Sequence, residues 1–361
     1  MIDLSPGFGA YGGSDRSRKR NMTATSPIPL GKLPAELLRR LLERYGTSDP
    51  RVLAGPGVGE DAAIIEMGDR CLVAKTDPVT FATDEIGYYA VHVNANDVAC
   101  CGAVPRWFLA TLLLPERGTT PEMVERIFSQ IAEACRPLGV SLCGGHTEIT
   151  YALDRPVVVG QMLGEVARDG YLTTSGARVG DALVLTKGIA VEGTAIIARE
   201  KRDELRAVAD EAELGRCAGF LHEPGISVVR DAAVAIRSGG VHALHDPTEG
   251  GVATGLWELA QAARVGLIVD EPRLPVLPEC ETLCRQFGLD PLGLIGSGSL
   301  LIASARDRAA AMVERLRSEG IAAAEIGEVV PAEQGCRIRS ADGRLRPLPS
   351  FARDEITRLF D

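Results

Sequence analysis

The sequence predicts two domains of mixed α/β character, and three observations carry that reading. The chain has 361 residues, its apolar share is 45% against 24% charged, and its apolar runs alternate between strand-like and helix-like patterns. At roughly 100–200 residues per domain the length favours two domains, each with a sizeable core. The runs AAIIEM, CLVAKT, RWFLATLLL and VVVGQMLGEV have strand character, with helical stretches over residues 86–101 and 121–138 between them. Strands, helix, strand, helix and strand form an α/β domain ending near Val166. A second domain opens on the strand DALVLTK. It continues through the helices VEGTAIIARE, SVVRDAAVAIRS and TGLWELAQAAR, the strand GSLLIAS, a helix over residues 307–318 and the strand AAEIGEVV. CRIRSADGRLR reads as a hairpin about Asp342-Gly343. Ahead of the first domain, PAELLRRLLERY opens on Pro34 and repeats Leu at helical spacing, as an amphipathic helix does. Residues 1–27, rich in Gly, Ser and Arg without periodicity, predict a mobile tail, with Met22 as an alternative start.

Composition excludes several classes. A net charge of −10 and an aromatic share of 4% disfavour a nucleic-acid or anionic-membrane surface and a base-stacking platform. No N-terminal apolar leader and no apolar run long enough to span a bilayer is present, so the expected setting is the cytoplasm. Nine cysteines show no C-x-x-C pair, and packed thiols are the expected state, Cys100 and Cys101 included. Trp107 and Trp257 lie in apolar patterns and read as core, and His92, in YYAVHVNAN, reads as a core or interface histidine.

Acidic residues stand beside Gly, Asn or Thr at three places: Glu60 and Asp61 in GVGEDAAII, Asp77 in VAKTDPVTF and Asp97 in VNANDVACCGA. Asp and Asn are poor strand and helix formers, so carboxylates at the ends of apolar runs predict side chains gathered around a cation. Magnesium carrying a nucleotide fits, because Mg²⁺ takes a few hard oxygens and keeps water and phosphate for the rest. Three Gly-rich turns add polar groups: Cys143 to Glu148 (CGGHTE), His245 to Gly251 (HDPTEGG) and Gly296 to Ser299 (GSGS). Gly250 and Gly251 precede a helix whose free N–H groups could receive a phosphate or an oxyanion, or simply be capped; both readings stand.

Taken in order, GEDAAII, KTDPVTF, VHVNANDVACCGAVP, GGHTEIT, LTKGIAVEGTAI, HDPTEGGV and GSGSLLIA resemble the aminoimidazole ribonucleotide synthetase (PurM-like) superfamily. Within it, HDPTEGGV and LTKGIAVEGTAI are most similar to HypE and HypE-like hydrogenase-maturation proteins. The resemblance implies a two-domain PurM-like fold of α/β and α+β class: an N-terminal half over 31–166 that dimerises through a shared β-barrel, a C-terminal α+β half over 167–345, and a C-terminal tail over 346–361. It implies ATP and Mg²⁺, with Glu60, Asp61, Asp77 and Asp97 at metal positions. Lys32, Lys75, Asp77, Asn94, Asn96, Asp97, Gly144, Gly145, Thr248, Gly250 and Gly251 are the candidates for holding nucleotide or phosphate. His146, Glu148, His245 and Asp246 are the candidate catalytic groups, for proton transfer or orientation. The shared chemistry is attack of an amide-like oxygen on the γ-phosphate, with ADP and phosphate released. The implied partners are a small-molecule or protein-borne carboxamide-like substrate, a second copy of the chain and a maturation protein.

One departure bears on substrate. HypE proteins carry a terminal Cys, whereas the last cysteine here is Cys336, inside the expected hairpin. The acceptor is then expected to be a free small molecule or a thiol from a partner. Two alternatives remain open: a small-molecule kinase similar to thiamine-monophosphate kinase, and a non-catalytic ATP-binding assembly factor.

Overall fold

The structure is a computed structural model, and it describes Ile28 and residues 33–55, 57, 59–80 and 84–360. The tail expected over residues 1–27 and the candidate phosphate ligand Lys32 lie outside the described residues.

Helix α1 (Ala35–Tyr45) precedes the first half, whose strands are β1 (Val52–Ala54), β2 (Ala63–Met67), β3 (Arg70–Val79), β4 (Val104–Pro115), β5 (Ser141–Thr150) and β6 (Val157–Ala167). They form one six-stranded sheet in the order β1-β2-β3-β6-β4-β5. Every pairing is antiparallel except β4 with β5. Two helices return the chain across this sheet. In α3 (Pro121–Leu138), Thr120 caps the N-terminus by accepting from Met123 N at 3.2 Å, and Gly139 ends the helix in a left-handed conformation. The other, α2 (Ile86–Cys100), buries thirteen of its fifteen residues and has no polar face. A helix apolar all round belongs in an interior, and α2 lies between the first sheet and the second half of the chain. Its polar residues Asn94, Asn96 and Asp97 are therefore buried with it.

The second half begins with β7 (Ala182–Thr186), buried at every position. Helices α4 (Val191–Glu200), α5 (Arg202–Leu205), α6 (Glu211–Ala218) and α7 (Val229–Ser238) follow. Next come β8 (Val241–His245), α8 (Gly251–Ala263), β9 (Gly266–Asp270), α9 (Pro278–Phe287), β10 (Leu301–Ser304), α10 (Arg306–Ser318), β11 (Ala323–Val330), β12 (Cys336–Arg339) and β13 (Leu345–Pro347). The sheet runs β13-β12-β9-β11-β7-β10-β8. The expected hairpin is present as β12 and β13, and β12 also pairs in parallel with β9, which buries Cys336. The two halves share packing: Val191, Ala195, Leu221 and Ile226 join the first core, while Ala99 and Cys100 of α2 join a core of the second half.

Three expectations change. The Cys143 to Glu148 segment is strand β5 rather than a turn, because Gly145 has no side chain and the backbone of β4 passes where its Cβ would overlap Ala110 O. Trp107 is 36% exposed on β4 and is not core. The terminal segment is packed: Leu348 is buried, Pro349 O accepts from Trp257 Nε1 at 3.0 Å, and Phe351 lies over Gly293.

Candidate active site

Alternation along β3 puts Lys75 and Asp77 on one face, and α2 brings Asp97 to the same place. Lys75 Nζ lies 3.3 Å from Asp77 Oδ2 and 3.2 Å from Asp97 Oδ2. Burial works against the Lys75 charge, but Asp97, Asp77, Asp61 and Asp246 outweigh it and hold the ammonium pKa above its ordinary value. Burial pushes Asp97 well above the usual carboxylate range; Lys75 opposes this, while Asp246, Asp61 and Asp77 add to it.

The second half closes over this group from the end of β8. His245 Nδ1 lies 2.8 Å from Asp61 Oδ1 and its Nε2 lies 3.0 Å from Glu258 Oε2 on α8. Thr174 Oγ1 donates to Asp61 Oδ2 at 3.3 Å. Burial opposes a charged His245, and Asp61 and Glu258 reverse that and raise its pKa well above the ordinary value. Asp246, 2% exposed, accepts from Cys100 Sγ at 3.5 Å through Oδ1, and its buried Oδ2 has no hydrogen-bond partner among the described residues. Burial and the Asp61 charge push Asp246 up to about 7, against His245 and Lys75. Ligand atoms of Asp61, Cys100 and Asp246 lie within 4.8 Å of one another. Glu60 is half-buried beside Asp61.

Other expected residues take different places. Asn94 is spent on backbone: its Oδ1 accepts from Asp77 N at 2.8 Å and its Nδ2 donates to Asp77 O and Ala90 O. Asn96 accepts from Val228 N and donates to Ile226 O, joining the halves. Both donors of the Asn94 amide are thus taken by backbone carbonyls. Just ahead of α8, Asp354 accepts from Gly250 N at 2.6 Å and from Ile295 N at 3.2 Å. Gly251 N and Gly296 N both donate to Thr248 O, which ties two of the Gly-rich turns together. His146 and Glu148 pair at 3.4 Å on exposed β5. His146 stands level with Pro78 across β6 and β4, so Asp77 and His146 are three strand spacings apart, about 14 Å. Gly144 and Gly145 lie on the same distant strand. His92 is a core histidine, 4.2 Å from the Tyr88 ring and pushed down to about 4 by burial.

Sequence reasoning missed Glu258, Thr174 and Asp354, and it read Cys100 only as a packed thiol. Cys100 follows Asp97 by three residues on α2, a spacing that shares a helix face. Glu258 follows His245 by thirteen residues across a turn, and no local period connects them.

Residues 59–166 match the AIR synthase related protein N-terminal domain, and residues 178–338 match its C-terminal domain. The chain belongs to the AIR synthase related family. Similar members include the carbamoyl dehydratase HypE of Rhodobacter capsulatus, 32% identical over 89% of this chain and 94% of the relative. That of Cupriavidus necator is 32% identical over 83% and 86%. A solved hydrogenase maturation protein HypE in complex with ATP is 27% identical, covers 89% of this chain and 96% of its own, and has a TM-score of 0.68. A HypE–HypF complex at 23% identity has a TM-score of 0.72 over 88% of this chain and 100% of that one, and shows the same fold. AIR synthase related proteins thus share the two-domain PurM-like architecture described above.

Proposed function

We propose that this chain is an ATP-dependent enzyme of the HypE type, which activates an amide-like oxygen with the γ-phosphoryl group of Mg-ATP and releases ADP and phosphate. The observation that carries the reading is the buried Asp246 Oδ2, without a hydrogen-bond partner among the described residues, inside a group of carboxylates. Among the described residues, Lys75 lies against Asp77 and Asp97 and His245 against Asp61 and Glu258, two cationic groups beside a larger set of carboxylates. Carboxylates in excess repel one another and an orphaned buried oxygen is costly, and a hard divalent cation relieves both. Asp61, Asp97 and Asp246 would hold Mg²⁺, whose preference for oxygen they meet, with Asp77 and Glu60 beside them.

Bound Mg-ATP would supply the phosphoryl group and offset the charge that develops on it. Lys75 adds a fixed ammonium, and burial on α2 and β8 keeps these groups oriented and dry. Burial and the Asp61 charge raise the Asp246 pKa to about 7 without a cation, and bound Mg²⁺ would favour its ionised form. A carboxamide supplied from outside the chain is part of the proposal, because Cys336, buried in β12, is not placed to carry it.

A homodimer is part of the proposal. Strand β5 is an exposed ten-residue edge with Leu142 and Ile149 on its surface, and an open edge invites pairing with a second copy. That pairing would also be the route by which His146 and Glu148 reach an active site as proton-transfer groups. A maturation protein is the proposed source of the carboxamide, as suits a relative of proteins with that role. A reducing cytoplasm suits nine unpaired cysteines, and among the described residues no helix is long and apolar enough to cross a membrane.

³¹P NMR of the chain with Mg-ATP and a panel of carboxamides and thiocarboxamides tests the reading. Acceptor-dependent formation of ADP and phosphate is expected. A phosphate ester retained on the acceptor would instead make the chain a kinase.

A further inference from the structure

Asp61 belongs to the first half of the chain, yet most of what holds it comes from the second. Its Oδ1 faces His245 Nδ1 at 2.8 Å, and the other ring nitrogen faces Glu258 Oε2 at 3.0 Å. Both nitrogens point at carboxylate oxygens, so both must donate. Asp61, His245 and Glu258 therefore form one chain of charge-assisted hydrogen bonds with a single orientation of the ring. The backbone supports the same contact independently. Gly59, two residues before Asp61, has φ +85° and presses on α8, where an added Cβ would sit 3.0 Å from Glu258 O and 3.6 Å from Ala262 Cβ. The loop carrying Asp61 is thus docked on the same turn of helix that supplies the Glu258 side chain.

We infer that Glu258 is a positioning residue, which through His245 fixes the rotamer of Asp61 and makes its metal-holding pose depend on the docking of the two halves. The inference rests on the proposed metal site and adds a residue outside it. Groups that orient a metal ligand typically matter 10–100-fold for affinity, although they never touch the ion. The effect is one of position and not of charge, because Glu258 is one bond chain further from the ion than Asp61. A carboxamide at 258 can still accept from His245 Nε2 over the same reach. A carboxylate one methylene shorter cannot.

Mn²⁺ alone, titrated into the full chain and followed by loss of the sharp electron paramagnetic resonance signal of the free ion, tests this with no catalytic readout. Glu258→Gln is expected to bind Mn²⁺ within about 3-fold of wild type, and Glu258→Asp roughly 10-fold or more weakly. The reverse order, or equal binding by both variants, would overturn the positioning role. Asp61→Asn serves as the control. If it binds Mn²⁺ as wild type does, the metal assignment itself fails and the inference with it. If Asp61→Asn loses Mn²⁺ while Glu258→Asp keeps it, only the positioning role is overturned. Both Glu258 variants keep a polar group in the same half-exposed place, and thermal unfolding checks that each is folded.

Discussion

Lys75 Nζ lies between two carboxylates, 3.2 Å from Asp97 and 3.3 Å from Asp77, and so joins the β3 strand to the buried α2 helix at the point where the acidic group converges. The ammonium is an internal counter-ion for a group otherwise rich in negative charge.

Lys75→Met removes that counter-ion and leaves Asp97 buried without a partner. Loss of one member of a buried pair typically costs 3–5 kcal/mol, so a loss of about 3 kcal/mol in unfolding free energy is expected, measured by urea denaturation without divalent ions. Added Mg²⁺ or Mn²⁺ should recover part of it. A variant as stable as wild type would mean that the acidic group carries less charge than the geometry implies.

Glu192 lies on α4 with an Oε2 that has no hydrogen-bond partner among the described residues, and burial raises its pKa to about 7, with Glu249 and Asp354 adding to the rise and Ser297 opposing it. A carboxyl raised on folding binds its proton more tightly in the native state. Stability is therefore lost as pH rises from the unfolded value near 4.5 to the folded value near 7, and is level above. Glu192→Gln should remove this dependence and gain up to about 3 kcal/mol on wild type at pH 8, with little difference at pH 4. Denaturation at the two pH values measures it, and a gain that is the same at both would contradict it.

Asp354 accepts from the backbone N–H groups of Gly250, Ile295 and Ile356. Asp354→Ala orphans these donors and is expected to cost about 2 kcal/mol. Hydrogen exchange should quicken at residues 250–251 and 295–296, and unchanged exchange there would show that water replaces the carboxylate freely.

Ile149 is 62% exposed on the β5 edge. Ile149→Lys should leave the stability of one subunit within about 0.5 kcal/mol and shift the chain from dimer to monomer in sedimentation. A wild-type chain that sediments as a monomer would contradict the proposed pairing.

The local patterns in the sequence were informative where period and burial agree. The helix expected over 121–138 is α3, with Thr120 and Gly139 at its ends, and β2, β3, β4, β6, β7, β10, β11 and the β12–β13 hairpin follow the expected runs, whereas β1, β5, β8 and β9 were not expected as strands. Asp61, Asp77, Asp97, His245 and Asp246 were legible because carboxylates and His at the ends of apolar runs conflict with local propensity. Asn94 and Asn96 carry the same signal yet clamp backbone, since a buried amide satisfied by main chain looks no different in sequence from one that meets a ligand. Gly144 to Glu148 read as a turn because two glycines and a polar cluster outweigh a short strand pattern; the close approach of Ala110 that demands Gly145 is tertiary. Glu258 and Asp354 were invisible for the same reason, because His245 lies thirteen residues from Glu258, and Gly250 and Ile295 lie 104 and 59 residues from Asp354.

The most direct test of the account is calorimetric titration of Mg-ATP into the wild-type chain and into Asp97→Asn and Asp246→Asn. Each substitution keeps the side-chain shape and removes one charged oxygen from the buried group, so the account expects Mg-ATP affinity to fall by roughly 10-fold or more in both. Affinities equal to wild type in both variants would place the nucleotide elsewhere and contradict the assignment of the acidic group.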